Sequence, residues 1–195
     1  TGSRQPARVH ALTCALNAAL GAVGPLVTYV PTPDANNAAT VLDLKSLAQD
    51  LDAGKVDTLL VLGGNPLFDA PADLKLAAKI AKAKTSIHLA SHVDETSAAT
   101  SWHLPRAHEL ESWGDLRSMD GTWSIQQPLI APLHGGRSDL EILAMLLAEK
   151  TSAYDLVRNT VKATLDAGLG FETTWKRALK SGFVGDRMPL RPPSM

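Results

Sequence analysis

The stretch LLVLGGNPLF, residues 59–68, decides the fold class of this chain. Its aliphatic residues run without alternation, which is typical of a strand buried on both faces in a parallel sheet covered by helices. Gly63 and Gly64 can adopt positive φ and let another group approach the backbone closely. Asn65 precedes a proline, which biases it away from helical geometry, and Pro66 fixes φ as the chain turns. Because ligands in open α/β sheets gather where strands end, two interpretations stay open: a plain strand-to-loop turn or a ligand loop.

Strand and helix patterns alternate on both sides of this stretch. A helix with spaced apolar residues is predicted from Val9 to Gly21, and Asp43 is suited to cap a second helix that ends at Gly54. Strand, helix, strand at this spacing predicts βαβ units and therefore a parallel sheet flanked by helices, an α/β fold. The other predicted elements are strands at Leu26–Val30, Ser86–Ala90 and Ser101–Pro105, a loop at 31–40, and a helix over residues 71–83 with Pro71 in its first turn.

The sequence pattern of the last third of the chain is typical of helices. Ser138 and Glu141 form a capping box before an apolar run, and two helical stretches follow at residues 153–168 and 171–182. Residues 109–133 have no regular period. We therefore expect an extended start at residues 1–8, resembling an expression-tag remnant, an α/β domain at residues 9–150, and a helical extension with a proline-rich extended tail at residues 151–195.

Composition excludes several classes of partner and cofactor. The 195 residues carry a formal net charge of −1, so no nucleic-acid partner is predicted. The single cysteine, Cys14, excludes an intrachain disulfide and a cysteine-ligated iron–sulfur or zinc centre within this chain. No apolar run approaches the length of a membrane span, so no direct membrane insertion is predicted.

Motifs for the common catalytic sites are absent from the sequence. It contains no HExxH, no GxSxG, no GxGxxG and no phosphate-binding P-loop lysine. The six histidines do not form a recognisable set of metal ligands. His88 and His92 are four residues apart, but His88 lies in a strand pattern, where that spacing does not bring two side chains together, and a proline separates His103 from His108. We expect hydrogen-bonded structural histidines, and we expect the four tryptophans to lie in the core.

Three segments in order carry a resemblance to a known family. They are LLVLGGNPLFDAP (59–71), VDETSAATSWHLPRAHELESWGD (93–115) and DGTWSIQQPLIAPLHGGRSDLEIL (120–143). Their order resembles the central α/β domain of the molybdopterin oxidoreductase superfamily, where a strand ends in G-x-N-P. There, an E-T pair precedes a strand ending in L-P, and an acidic residue, a G-T pair and an acidic helix start follow. The resemblance covers residues 9–149.

The resemblance implies a cofactor cleft. In that family this domain holds one half of a bis-molybdopterin guanine dinucleotide, with glycines and exposed N–H groups near its anionic linker. Carried onto this chain, the cofactor-binding residues are Gly63, Gly64, Asn65, Pro66, Glu95, Thr96, Gly121 and Thr122.

Several positions depart from the family pattern. Ser101 stands where the family has an aspartate, Ile125 where it often has an asparagine, and Gln127-Pro128-Leu129 where it often has E-G-R. Lost polar contacts weaken a cofactor site. We therefore expect the cofactor-binding residues carried over from the family to be vestigial, and the fragment to have no catalysis of its own. The alternative is a molybdopterin guanine dinucleotide-binding domain of an active molybdenum or tungsten oxidoreductase. A third interpretation is a free-standing small-ligand binding module with a pocket at the same strand ends.

Within the superfamily, the segment HLPRAHELESWGDLRSMDGTWSIQQPLIAPL (residues 103–133) is most similar to the molybdopterin-oxidoreductase-like iron–sulfur subunits of bacterial alternative complex III. That branch implies a piece of a longer chain in a membrane-associated, quinol-oxidising electron-transfer complex. Its partners would be the remaining domains of the parent chain and the other subunits of the respiratory complex. Iron–sulfur clusters would lie elsewhere in the parent, and the location would be the extracytoplasmic, periplasmic face of the membrane.

Overall fold

A computed structural model describes residues 2, 5–29, 43–118, 122–164 and 170–184. Its fold is mixed α/β, with a three-stranded parallel sheet flanked by helices and a helical C-terminal part, as the sequence predicted. The strands of the parallel sheet are β1 (Thr58–Leu62), β2 (Thr85–Ala90) and β3 (Trp102–Pro105). They lie side by side in chain order, with Leu60 opposite Ile87 and Leu89 opposite Leu104.

Helices on one side of β1 form the first hydrophobic core. Helix α2 (Leu44–Asp52) begins where predicted, because the Asp43 carboxylate accepts a hydrogen bond of 2.7 Å from the Ser46 N–H. After the short helix α3 (Pro66–Asp69), the chain forms a 3₁₀ turn at Ala72–Leu74 and helix α4 (Leu76–Ile80). The buried members of this core are Ala48, Leu51, Leu59, Leu76, Ile80 and Ala83.

The continuous helix predicted over residues 71–83 is wrong. Lys75 lies between the two short helical pieces with φ 47° and ψ 46°, a left-handed conformation that ends the first piece. Pro71 precedes the 3₁₀ turn and does not open an α-helix.

The N-terminal segment contains a helix but not the predicted strand. Helix α1 (Ala7–Ala19) ends at Leu20, and Gly21 follows with φ 65°, as the C-cap pattern predicted. The strand predicted at Leu26–Val30 is not formed over its described residues, 26–29. The Ala22 carbonyl accepts the N–H groups of both Leu26 and Val27, so the chain curls into a turn with a single bridge between Val23 and Val27. Val30 and the predicted loop at 31–40 lie outside the described residues.

A second, antiparallel sheet lies in the region that the sequence left without a period. Strands β4 (Gly114–Arg117) and β5 (Trp123–Gln126) pair, and β5 also pairs with β6 (Phe183–Val184). Helices α5 (Glu95–Ala99), α6 (Asp139–Leu146), α7 (Ala153–Thr164) and α8 (Phe171–Ser181) complete the chain. The capping box predicted before α6 is present, and α8 ends at Gly182 as predicted.

Helices α7 and α8 pack on this antiparallel sheet and form the second core. Trp175 is 2% exposed and donates a hydrogen bond of 2.9 Å from Nε1 to the Tyr154 hydroxyl. The buried members are Trp123, Ile125, Val157, Val161, Phe171, Trp175, Ala178 and Val184. Trp102 is 62% exposed, so the prediction that all four tryptophans are core residues is wrong for this one. It lies on β3, the edge strand of the parallel sheet.

Backbone pairing joins the two cores. The Ala107 N–H donates to the Arg137 carbonyl at 2.9 Å, and the Arg137 N–H donates to the Pro105 carbonyl at 3.1 Å. Gly136 permits this approach, because a Cβ at this position would lie 2.9 Å from the Ala107 nitrogen. The segment that follows β3 is therefore fixed against the segment that precedes α6.

Within the described ranges, no helix combines the length and the hydropathy needed to cross a membrane.

Because the second core includes residues from α7, α8 and β6, we expect the antiparallel sheet to lose stability when the chain is cut before α7. A chain of residues 1–150 loses α7, α8 and β6, including the Gly182 carbonyl that accepts the Ile125 N–H at 2.8 Å. We expect the β5 amides to lose their protection against hydrogen exchange, because Trp123 and Ile125 would be exposed. A chain of residues 1–184, which keeps every member of the second core, is the matched control and should retain protection. Full protection of β5 in the shorter chain would contradict the expectation and make residues 151–184 an independent extension.

Candidate functional site

The carboxyl ends of all three parallel strands meet at one edge of the sheet. The loop Gly63–Pro66, called the GGNP loop below, follows β1, residues 91–94 follow β2, and Arg106 follows β3. Gly63 and Gly64 have φ 69° and 70°, so the loop uses the positive φ that the sequence predicted for both glycines. The Gly63 N–H donates to the Leu89 carbonyl at 2.8 Å and extends the sheet pairing into the loop.

The polar side chains of the predicted cofactor residues bind one another. The Asn65 amide donates from Nδ2 to Glu95 Oε2 at 2.6 Å, and its Oδ1 accepts the Thr96 hydroxyl at 2.8 Å. The same hydroxyl oxygen accepts the Leu67 N–H at 3.1 Å. The structure therefore brings Asn65, Glu95 and Thr96 together, although thirty positions separate Asn65 from Glu95 in the chain.

This network gives each group a partner within the protein. Thr96 is fully buried and uses its hydroxyl as donor and as acceptor. The hydrogen bond from Asn65 lowers the pKa of the Glu95 carboxyl below its usual range, with a further contribution from the Glu95 backbone N–H. The side chains tie the GGNP loop to α5.

Of the other predicted cofactor residues, Pro66 and Thr122 take no part in this side-chain network, and Gly121 lies outside the described residues. Pro66 is the first residue of α3, where its missing N–H is tolerated. Thr122 precedes β5 in the antiparallel sheet, and it lines neither of the two cavities that border Gly63 and Gly64.

Arg106 is a site residue that the sequence motifs did not indicate. Its Nε and Nη2 donate to the Asp139 carboxylate at 2.8 and 2.5 Å, and this pairing raises the pKa of the guanidinium. Its Nη1 covers Gly63 so closely that a Cβ on that glycine would lie 2.9 Å away. Arg106 follows the L-P pair directly in the sequence, but only the fold places it over a loop forty residues upstream.

A buried histidine of β2 contacts the backbone of the GGNP loop. His88 is 0% exposed, and its Nε2 lies 3.1 Å from the Gly64 carbonyl oxygen. Its Nδ1 lies 2.9 Å from Ser97 Oγ, and the same oxygen lies 2.9 Å from His103 Nδ1. His88 and His103 are thus hydrogen-bonded, as the sequence predicted for structural histidines. Sequence reasoning did not connect them with Ser97.

This cluster does not have the geometry of a serine hydrolase. Asp94 Oδ1 lies 3.4 Å from His88 Nδ1, the same nitrogen that Ser97 contacts, whereas a catalytic triad places its acid and its serine on opposite ring nitrogens. Ser97 is also only 7% exposed. Among the described residues, no three His, Cys, Asp or Glu side chains are placed to share a metal ion.

The Asp94 carboxyl also has a perturbed pKa. Burial alone would raise it, but hydrogen bonds from the backbone N–H and the side chain of Ser97, together with the charge of His88, outweigh burial and lower the pKa. Asp94 is thereby held as a carboxylate, and it caps α5 by accepting the Ser97 N–H at 2.8 Å.

Cavities of different size and lining border this edge of the sheet among the described residues. A small one of 220 Å³ is lined by Gly63, Gly64, Ser91, His92, Asp94 and Arg106. An apolar one of 490 Å³ runs along β1 beneath α2. A third of 710 Å³ extends from Arg106 toward the antiparallel sheet and includes His108, Glu109 and Asp115.

These residues do not fit a molybdopterin guanine dinucleotide. Two cavities border the loop among the described residues. The small one is below the usual size of a cofactor pocket, roughly 300 Å³ or more. The 490 Å³ one is large enough, but its described lining is mainly aliphatic and includes Asp69 and no lysine or arginine that could pair with a phosphate. The Asp94 carboxylate lines the small cavity and would oppose a phosphate, while Asn65, Glu95 and Thr96 are already bonded to each other.

No protein-family model matches the chain, and no curated protein matches it.

The two loop glycines form a matched pair for mutation. Gly63→Ala and Gly64→Ala carry the same left-handed strain, about 1–2 kcal/mol each. Only Gly63→Ala also meets Arg106, since the space around Gly64 is open. We expect Gly63→Ala to reduce the free energy of unfolding more than Gly64→Ala in denaturant titrations. In an Arg106→Ala background the difference should disappear, and its persistence there would contradict the assigned contact.

Proposed function

We propose that this chain is a structural α/β domain of a molybdopterin-oxidoreductase-like subunit of a membrane-associated, quinol-oxidising respiratory complex. In this proposal the GGNP loop persists as architecture and the cofactor site is lost. The domain carries no catalysis of its own, and electron transfer belongs to iron–sulfur clusters elsewhere in the parent chain.

The observation that carries the proposal is the closed network of Asn65, Glu95 and Thr96. Those side chains are the polar members of the motif by which the chain resembles the family. Their hydrogen bonds run to each other and to the Leu67 N–H, so the loop is stable without a ligand. A buried threonine hydroxyl with two partners has a structural reason to persist after a cofactor is gone.

The residues that depart from the family pattern have structural contacts here. Ser101 pairs with Ser86, its N–H donating to Ser86 Oγ at 2.9 Å. Ile125 is 7% exposed within the second core, and Gln127 Nε2 donates to the Leu179 carbonyl at 2.8 Å. These positions serve packing and backbone satisfaction, which supports the loss of cofactor contacts.

Exposed apolar helix faces support the proposed partners. In α1 no residue is buried, and Leu12 and Leu16 are 72% and 57% exposed. In α6, Met145 and Leu146 are 66% and 68% exposed. Large exposed apolar surfaces are typical of sites covered by another protein surface, in keeping with a domain inside a larger subunit.

The second candidate is a molybdopterin guanine dinucleotide-binding domain of an active molybdenum or tungsten oxidoreductase. The observation in its favour is Arg106, whose Nη1 lies over Gly63 and which lines the 220 Å³ cavity with both loop glycines. An arginine next to two glycines is suited to bind a phosphate.

Metal and pterin analysis separates the two candidates. The full-length parent, purified from its native host, should contain molybdenum and tungsten well below one atom per polypeptide and no guanine-bearing pterin, because the side chains of Asn65, Glu95 and Thr96 are already hydrogen-bonded within the network. A molybdopterin enzyme purified in parallel from the same cells controls for loss during preparation. Stoichiometric metal with a guanine-bearing pterin would contradict the proposal and establish the second candidate.

A further inference from the structure

The His88 cluster has a hydrogen-bond direction that one group fixes. The Gly64 carbonyl can only accept, so His88 Nε2, 3.1 Å away, must carry a proton. In neutral His88 the other nitrogen, Nδ1, carries no proton and accepts a hydrogen bond of 2.9 Å from the Ser97 hydroxyl. Because the single hydroxyl proton of Ser97 is used in that bond, its Oγ can only accept from His103, which must therefore carry its proton on Nδ1.

A second arrangement satisfies the same contacts with one more proton. If His88 is doubly protonated, its Nδ1–H donates to Ser97 Oγ and faces the Asp94 carboxylate at 3.4 Å. The Ser97 hydroxyl then turns and donates to His103 Nδ1, and the proton of neutral His103 sits on Nε2. Heavy atoms need not move between the two arrangements.

We propose that His88 is a buried proton-binding site and that Ser97 and His103 are the relay that fills it. A proton from solvent binds Nε2 of the partly exposed His103. The proton on His103 Nδ1 passes to Ser97 Oγ, and the Ser97 hydroxyl proton passes to His88 Nδ1. One proton is taken up, both histidine–serine hydrogen bonds reverse direction, and the positive charge rests beside Asp94.

The groups around His88 favour a positive charge on its imidazole ring. The residues that face it are Gly64 from the loop after β1, Asp94 and Ser97 from the start of α5, and His103 from β3, whose ring centre lies 6.3 Å away. The nearby charged groups Glu95 and Arg106 are bonded to Asn65 and Asp139. Asp94 is thus the carboxylate that compensates a buried imidazolium.

Histidine NMR on the full 195-residue chain tests the relay. With ¹⁵N-labelled histidine, each ring nitrogen reports whether it carries a proton while the pH is lowered across the range in which the chain stays folded. We expect His88 to gain its Nδ1 proton in the same step in which His103 moves its proton from Nδ1 to Nε2. His88 that stays singly protonated throughout that range, or His103 that keeps its Nδ1 proton, would overturn the proposal.

Variants at position 97 test the linkage itself. Ser97→Ala should abolish the coupled change in His103, and Ser97→Thr, which keeps a hydroxyl, should retain it. Ser91→Ala is the matched control, because it removes a hydroxyl 3.0 Å from Nδ1 of the exposed His92 and should leave both reporters unchanged. A coupled change that survives Ser97→Ala would overturn the relay. If Ser97→Ala does not fold, loss of the coupling in Ser97→Thr would overturn it.

Discussion

The Thr96 hydroxyl is the constraint on which the arrangement of the strand ends depends. It is fully buried, donates to Asn65 and accepts from the Leu67 N–H, so it fixes the junction that follows β1 against the start of α5, the helix that follows β2. Removing it would leave a donor and an acceptor unpaired near the core, and burial of unpaired polar groups costs about 1–3 kcal/mol each. Through these two hydrogen bonds the hydroxyl connects the GGNP loop and α3 on one side with α5 on the other.

The network is a structural device, and under the proposed function it would also be what remains of a cofactor-binding loop. A cofactor-binding loop must be rigid before the ligand arrives, so part of its polar chemistry serves the loop itself. Side chains with two roles can outlast the ligand. Asn65 is hydrogen-bonded to both Glu95 and Thr96, whereas Ser101 and the buried Ile125 stand at positions where the resemblance implies polar cofactor contacts. That contrast favours a structural domain over a cofactor-binding one.

The sequence predicted those parts of the fold that depend on local chemistry. The aliphatic run before Gly63, the Asp43 cap and the Ser138 capping box each specify their element through neighbours in the chain. It failed where distant partners decide. Strand β5 is four residues long and depends on β6, some sixty positions later, and Lys75 interrupts a helix that periodicity alone would continue. For the site, the motif named Asn65, Glu95 and Thr96, which the fold brings together, and Thr122, which lies at the antiparallel sheet, while Arg106 and His88 reach the loop only through the order of the strands.

The central claim is that the loop residues stabilise one another without a ligand, and a double-mutant cycle tests it most directly. Asn65→Ala, Thr96→Val and their combination are compared by denaturant unfolding of the cofactor-free 195-residue chain, with Asn65→Ala plus Thr100→Val as the control pair, since Thr100 bonds to the Ser97 carbonyl instead. The account predicts a coupling energy of about 1 kcal/mol between Asn65 and Thr96 and additivity in the control pair. Additivity of Asn65→Ala and Thr96→Val would contradict it, because the hydrogen bond would then contribute nothing to the stability of the loop.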